Sequence, residues 1–181
     1  MTRRWMRIGV AAAGSVLAVG LIPGTAHAAT TDVKDPRGDA PRVADITKLR
    51  VKNGEHRVTG VLTVPHHKKR KYAGIDLMIR TKDSGRWAYI VSIAPAGNGQ
   101  AAKKGLFYQR GDDPATSRRL RCTGIKTAWK SKKITISVPV RCLTETSARR
   151  VRARAGIITR LEPGHDWYDD LTRFSRFVRR G

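Results

Sequence analysis

The chain predicts an all-β fold: an antiparallel β-sandwich of about seven to nine short strands, stapled by one disulfide and preceded by a cleaved signal helix. Three observations lead there. Short runs place apolar residues at every second position, with turn-forming clusters about every 8–12 residues between them. No stretch sustains a 3.6-residue apolar stripe. The two cysteines, Cys122 and Cys142, lie in a chain whose start reads as an export signal, so an oxidised pair is expected.

The N-terminus is read first. Arg3, Arg4 and Arg7 precede an apolar and small-residue run over residues 8–22, Pro23-Gly24 breaks it, and Ala26-His27-Ala28 closes it. Charged start, apolar run and A-x-A ending are the three parts of a secretory signal peptide, with cleavage between Ala28 and Ala29. The run is shorter than the ~20 apolar residues that span a bilayer. Thr2-Arg3-Arg4-Trp5-Met6 resembles a twin-arginine signal, and paired arginines are also common in ordinary ones, so either export route fits. The expected product is a secreted, extracellular domain with no transmembrane segment.

Domain organisation follows: signal peptide 1–28, extended lead-in 29–44, and one sandwich domain 45–181. The full chain carries a net charge of +23; losing residues 1–28 removes three arginines and no acid, leaving +20 on 153 residues. A charge that large on one domain sets up a positive field that attracts anionic polymers or anionic lipid, and it equally keeps a protein soluble.

The elements are expected in this order. Residues 46–52 alternate Leu49 and Val51 with lysine and arginine; Asn53-Gly54 signals a tight turn, and residues 58–64 return as the partner strand. Residues 65–71 form a loop. Residues 73–80 and 86–93 form a second pair around the turn Asp83-Ser84-Gly85. Residues 94–105 are loop, residues 106–109 a short strand, and Asp112-Asp113-Pro114 a turn. Residues 120–129 and 133–138 pair across Lys130-Ser131-Lys132, with Ile134, Ile136 and Val138 inward. Residues 140–144 form one helical turn carrying Cys142. Residues 150–158 alternate Val151, Ala153 and Ala155 with Arg150, Arg152 and Arg154. The tail from residue 161 shows no clear period, and no repeat of fixed length is evident. The Cys122–Cys142 bridge would close a loop of about 21 residues, which chain entropy values at ~3 kcal/mol.

Three groups of residues could carry function. The first is basic: Lys68, Lys69, Arg70 and Lys71 in a loop, and Arg150, Arg152 and Arg154 about 6.6 Å apart on one strand face. Guanidinium forks suit phosphate or carboxylate. The plainer alternative is a solvated loop and a solvated sheet face. Aromatics do not interleave with these runs, and no helix-turn-helix, zinc-finger or RNP-like signature is present, so sequence-specific nucleic-acid reading is not expected.

The second group is acidic. Eight of the 14 acids fall in two windows, Asp32, Asp35, Asp39 and Asp45 near the mature start and Glu162, Asp166, Asp169 and Asp170 near the end. Asp35-Pro36-Arg37-Gly38-Asp39 spaces carboxylates around a glycine turn, as oxygen-ligand calcium loops do. If the chain ends meet at one edge of a sandwich, Asp35, Asp39, Asp45, Asp166, Asp169 and Asp170 would share one Ca2+. Alternatively they cap turns, pair with arginines or face water. No other cofactor is expected.

The third group is aromatic. Trp87 and Tyr89 share a strand face with Val91 and Ile93, which points to the core. Trp167 and Tyr168, among acids, are the better candidates for stacking on a sugar, and equally for plugging the end of a sandwich. Enzyme chemistry lacks its constellations: no G-x-S-x-G, P-loop, H-E-x-x-H or dinucleotide turn occurs, and His165-Asp166 has no marked nucleophile.

Asp35-Pro36, Gly38-Asp39 and Ala44-Asp45-Ile46, followed by a Lys/Arg-alternating strand and hairpin, resemble a group of secreted bacterial proteins of unknown function. Their domains look like the β-sandwiches of carbohydrate-binding modules and DOMON-type domains. Val138-Pro139, Cys142-Leu143 and the ending from Phe174 to Gly181 look like the same group. The resemblance implies a sandwich and an extracellular address and brings no established activity; some related sandwiches bind calcium or sugar. The run Lys68 to Lys71 is no part of it. The reading from sequence is thus a non-catalytic secreted binding domain whose basic surface contacts anionic extracellular or cell-envelope polymers. The alternative is a carbohydrate-binding module with an aromatic and aspartate site and structural calcium.

Overall fold

The computed structural model describes residues 28–96, 101–160 and 168–181. Two antiparallel sheets face each other. One has the order β1-β2-β3-β9-β8, built from Ala29–Lys34, Lys48–Asn53, Arg57–Thr63, Lys133–Pro139 and Lys126–Lys130. The other runs β11-β10-β4-β5-β6-β7, built from Asp170–Leu171, Arg150–Thr159, Tyr72–Thr81, Trp87–Ala94, Lys103–Arg110 and Arg118–Leu120; β12, Val178–Arg179, also pairs with β10. No helix among the described residues is long and apolar enough to cross a membrane.

The period-two pattern places the core. Leu49, Val51, Val58, Leu62, Ile134, Ile136 and Val138 line the inner face of the first sheet. Ile75, Leu77, Ile79, Tyr89, Val91, Leu106, Val151, Ala153 and Ile157 line that of the second. The sheets approach closely at Gly60, where a Cβ would lie 2.6 Å from a methyl carbon of Leu77. The Cys122–Cys142 disulfide is formed, with a Cα–Cα distance of 5.4 Å inside the normal range.

Several expectations are corrected. The lead-in 29–44 begins with a strand: β1 pairs with β2 from Ala29 opposite Asn53 to Lys34 opposite Lys48. Its alternation of half-buried and exposed residues is that of an edge strand. The single strand expected over residues 120–129 is two. β7 ends in one sheet at Leu120 and β8 starts in the other at Lys126, with Gly124 between them at φ +85°. That conformation breaks a strand, so the chain changes sheets here. Cys122 ties the crossing to the 3₁₀ turn Val140–Cys142. Asn53 is not a turn residue. It ends β2 fully buried and donates to the carbonyls of Ala148 (3.2 Å) and Val178 (3.1 Å).

The tail does have a period, and it is three. Leu171-Thr172-Arg173, Phe174-Ser175-Arg176 and Phe177-Val178-Arg179 repeat an apolar residue, a residue turned to β10, and an arginine. The Thr172 N–H donates to Ala155 O (2.9 Å), and the Ala155 N–H donates back to Thr172 Oγ1 (3.1 Å). Ser175 and Ala153 repeat the exchange at 2.8 and 3.1 Å. Val178 pairs with Val151. Three tail residues therefore match two of β10, and hydroxyls replace the carbonyls of a regular ladder.

Candidate functional site

The basic loop does not stand alone. The Val64 N–H donates to Lys132 O (3.0 Å), and His67 Nε2 lies 2.6 Å from Lys130 O. These bonds dock the loop and its 3₁₀ turn Lys69–Lys71 on the β8–β9 turn. Lys68, Lys69, Arg70 and Lys71 therefore share one end of the sandwich with Lys130, Lys132 and Lys133. Trp129 forms its floor: Lys69 Nζ lies 5.5 Å from the ring centroid, and the rings of His67 and Tyr72 lie within 6.0 Å. A shallow depression is lined by Lys68, Lys69, Arg70 and Ala96. Among the described residues no carboxylate makes an ion pair with any of these seven bases.

Several of the described acids are engaged elsewhere. Asp32 binds Arg50 (2.7 Å) and Lys48 (2.7 Å), and these partners, Arg50 first, hold its carboxyl well below the usual range. Glu145 takes Arg118, and Asp112 takes Arg154 at 2.5 Å. Asp113 caps the 3₁₀ turn Pro114–Thr116.

Arg150, Arg152 and Arg154 share one face of β10, alternating with buried Val151, Ala153 and Ala155, and two of them stack on an aromatic ring. Arg152 and Arg154 join Arg80 of β4 around Phe174, with guanidinium carbons 4.8–5.0 Å from its ring centroid, and Arg152 also lies 5.0 Å from the Phe177 ring. Burial, and then the charges of Arg152 and Arg154, lower the Arg80 pKa. Arg150 stands outside this layer, at the start of β10 opposite Arg179. Nine strand steps, about 30 Å, separate it from Thr159 beside the basic loop. The seven expected polyanion contacts thus fall in separate places.

The aspartates converge. Asp35, Asp39 and Asp170 each bring a carboxylate oxygen within 4.8 Å of the others. Two oxygens on opposite sides of a Ca2+ at 2.3–2.6 Å would be about 4.6–5.2 Å apart, so the spacing fits. Asp35 Oδ2 and the neighbouring Asp45 Oδ1 are buried without a hydrogen-bond partner, as unused ligand atoms would be. Asp45 spends its other oxygen on the Gly38 N–H (3.1 Å). Burial, then the charges of Asp35 and Asp39, push the Asp170 pKa up to about 7. Burial, then Asp39, raises that of Asp35. Of the six expected ligands, three form this cluster and Asp45 lies near Asp35. Asp169 is spent on the Thr159 N–H (2.5 Å), and Asp166 lies outside the described residues.

Of the aromatic pair, Tyr168 is among the described residues. Tyr168 lies flat against Gly156, where a Cβ would fall within contact distance of the ring, and donates its hydroxyl to Asp76 Oδ2 (2.5 Å). Burial, then Asp76, raises its pKa. The ring is half-buried, with one face laid on Gly156 and its hydroxyl spent on Asp76. Trp167 lies outside the described residues. Tyr89 is core as expected, and Trp87 stacks on Tyr108 at 4.8 Å.

Sequence reasoning missed Lys130, Lys132 and Lys133 as partners of the loop, and Arg80 and Phe174 as partners of Arg152. Only the strand pairing brings these together. Compared with protein-family models, with curated proteins and with solved structures, the chain gives no match.

Proposed function

We propose that this chain is a secreted, non-catalytic binding domain that holds anionic polymers of the extracellular space or cell envelope at its basic end. One observation carries the reading: two basic runs, about 60 residues apart in sequence, meet around Trp129, and no acid among the described residues makes an ion pair with them. Such a cluster is costly to assemble unless a counter-charge is bound there, and its field draws polyanions. The export reading is supported by the position of β1, whose first residue is the first after the expected cleavage point. The purified protein should be retained on an anionic polysaccharide at low salt and released steeply as salt rises. Lys69→Gln with Lys130→Gln and Lys132→Gln should elute at lower salt. Passage through the column at low salt without delay would defeat the reading.

A structural Ca2+ is a second reading, favoured by the two buried, partnerless oxygens of Asp35 and Asp45 beside Asp39 and Asp170. An ion there would tie the loop after β1 to the tail. In the carbohydrate-binding alternative Tyr168, half-buried on Gly156, would offer its outward ring face.

A further inference from the structure

The three-residue repeat of the tail has a chemical consequence. Residues 172, 175 and 178 turn to β10 and are buried. Residues 171, 174 and 177 form an apolar row: Phe174 and Phe177 lie on the outer face over Arg80, Arg152 and Arg154, with Leu171 and Phe177 37% and 44% exposed. Residues 173, 176 and 179 are all arginine and all exposed. Because each triplet matches two residues of an antiparallel strand, the backbone positions of these arginines recur about every 6.8 Å along β10. Their backbone is fixed by the exchanges at Ala155, Ala153 and Val151, so the spacing belongs to the sheet and not to a loose terminus. No described carboxylate makes an ion pair with any of the three; Arg173 lies near enough to Asp35 to lower that residue's pKa.

The geometry points to a rail for a linear phosphodiester chain: Arg173, Arg176 and Arg179 contact successive phosphates, with Phe177 and Leu171 alongside as the apolar flank. Arginine favours phosphate because its fork gives two parallel charge-assisted bonds. Arginines beside an exposed ring, here Phe177, are the combination that single-strand binders use. The inference rests on the polyanion reading and adds to it a second site with a stated ligand chemistry.

The test uses oligothymidylate and an abasic deoxyribose-phosphate oligomer of equal length, with an acidic polysaccharide beside them. Arg173→Gln, Arg176→Gln and Arg179→Gln together should leave the thermal melt unchanged and reduce the slope of log affinity against log salt by about 2 units, at ~0.7 per lost phosphate contact. Equal binding of the abasic oligomer assigns recognition to the backbone. Tighter thymidylate binding, weakened by Phe177→Ala, adds base stacking. A triple variant that binds both oligomers with unchanged slope overturns the rail. Binding of the acidic polysaccharide alone, lowered by the Lys69, Lys130 and Lys132 changes, overturns the rail and leaves the basic end standing. Binding of none overturns both.

Discussion

The carboxylate of Asp170 accepts a 2.5 Å hydrogen bond from the backbone N–H of Ile46, 124 residues earlier in the chain. The bond fastens the tail to the start of the β2 hairpin and holds Asp170 against Asp35 and Asp39. It makes the stability of the two chain ends depend on charge.

That dependence has a definite sign. The Asp170 pKa stands at about 7, above the ordinary carboxyl value, because burial and two acidic neighbours disfavour the ion. Below about pH 4 both folded and unfolded chains hold the proton, and there is no penalty. Between about pH 4 and 7 the unfolded chain releases the proton and the folded one keeps it, so stability falls as pH rises. In the absence of divalent cation the melting temperature should decline across that window, and Asp170→Asn should flatten the decline. An unchanged slope in the asparagine variant would refute the assignment.

A bound cation would reverse the same slope. Ca2+ pairs with ionised carboxylates only, so its affinity rises as Asp35 and Asp170 lose their protons. Calcium should raise the melting temperature at pH 7.5 and much less at pH 5; at a hundred times its dissociation constant the gain is about 2.7 kcal/mol. Asp39→Asn should abolish the gain without altering the metal-free melt greatly, since Asp39 is exposed. Equal calcium responses in the two proteins would remove the cluster as the site.

The alternating strands were legible because a half-buried strand writes its inward face at every second residue, as Ile134, Ile136 and Val138 do. The tail was not legible in that way. Its contact with β10 runs at three residues to two, and the residues facing β10 include Thr172 and Ser175, whose hydroxyls act as backbone carbonyls. Read as triplets ending in arginine, residues 171–179 do show the repeat. The carboxylate cluster was partly legible, since both windows stand out against a basic chain. Which aspartates join it depends on tail register, and that register sends Asp169 to Thr159 and Asp170 to the cluster.

Gly60 provides a test of the sheet packing. A Cβ there meets Leu77 at 2.6 and 3.0 Å, and Leu77 is fully buried. Gly60→Ala should cost about 1–3 kcal/mol by overpacking despite alanine's lower backbone entropy. Leu77→Val in the same chain should recover part of that loss, giving a non-additive double-mutant cycle. Denaturant melts of the four proteins measure it, and strict additivity would show that the two sites do not press on each other.

Asn53 separates a turn residue from a buried hub. In an Asn-Gly hairpin turn, aspartate is an accepted replacement and Asn53→Asp would cost little. Here the Asn53 side-chain amide donates to the carbonyls of Ala148 and Val178, and the Asn53 carbonyl accepts from the Gly181 N–H at 3.0 Å. These bonds join β2, the approach to β10 and the chain's last residue. Asn53→Ala removes the donors and leaves the carbonyls unpaired, at about 1–3 kcal/mol. Asn53→Asp places a buried carboxylate against carbonyl oxygens, with acceptor facing acceptor. Its cost at pH 7 should exceed that of alanine, about 3–5 kcal/mol, and should shrink at low pH, where the acid is neutral and again a donor. Urea melts of both variants at pH 7 and pH 4 decide it. An aspartate variant as stable as the parent at pH 7 would return Asn53 to the turn.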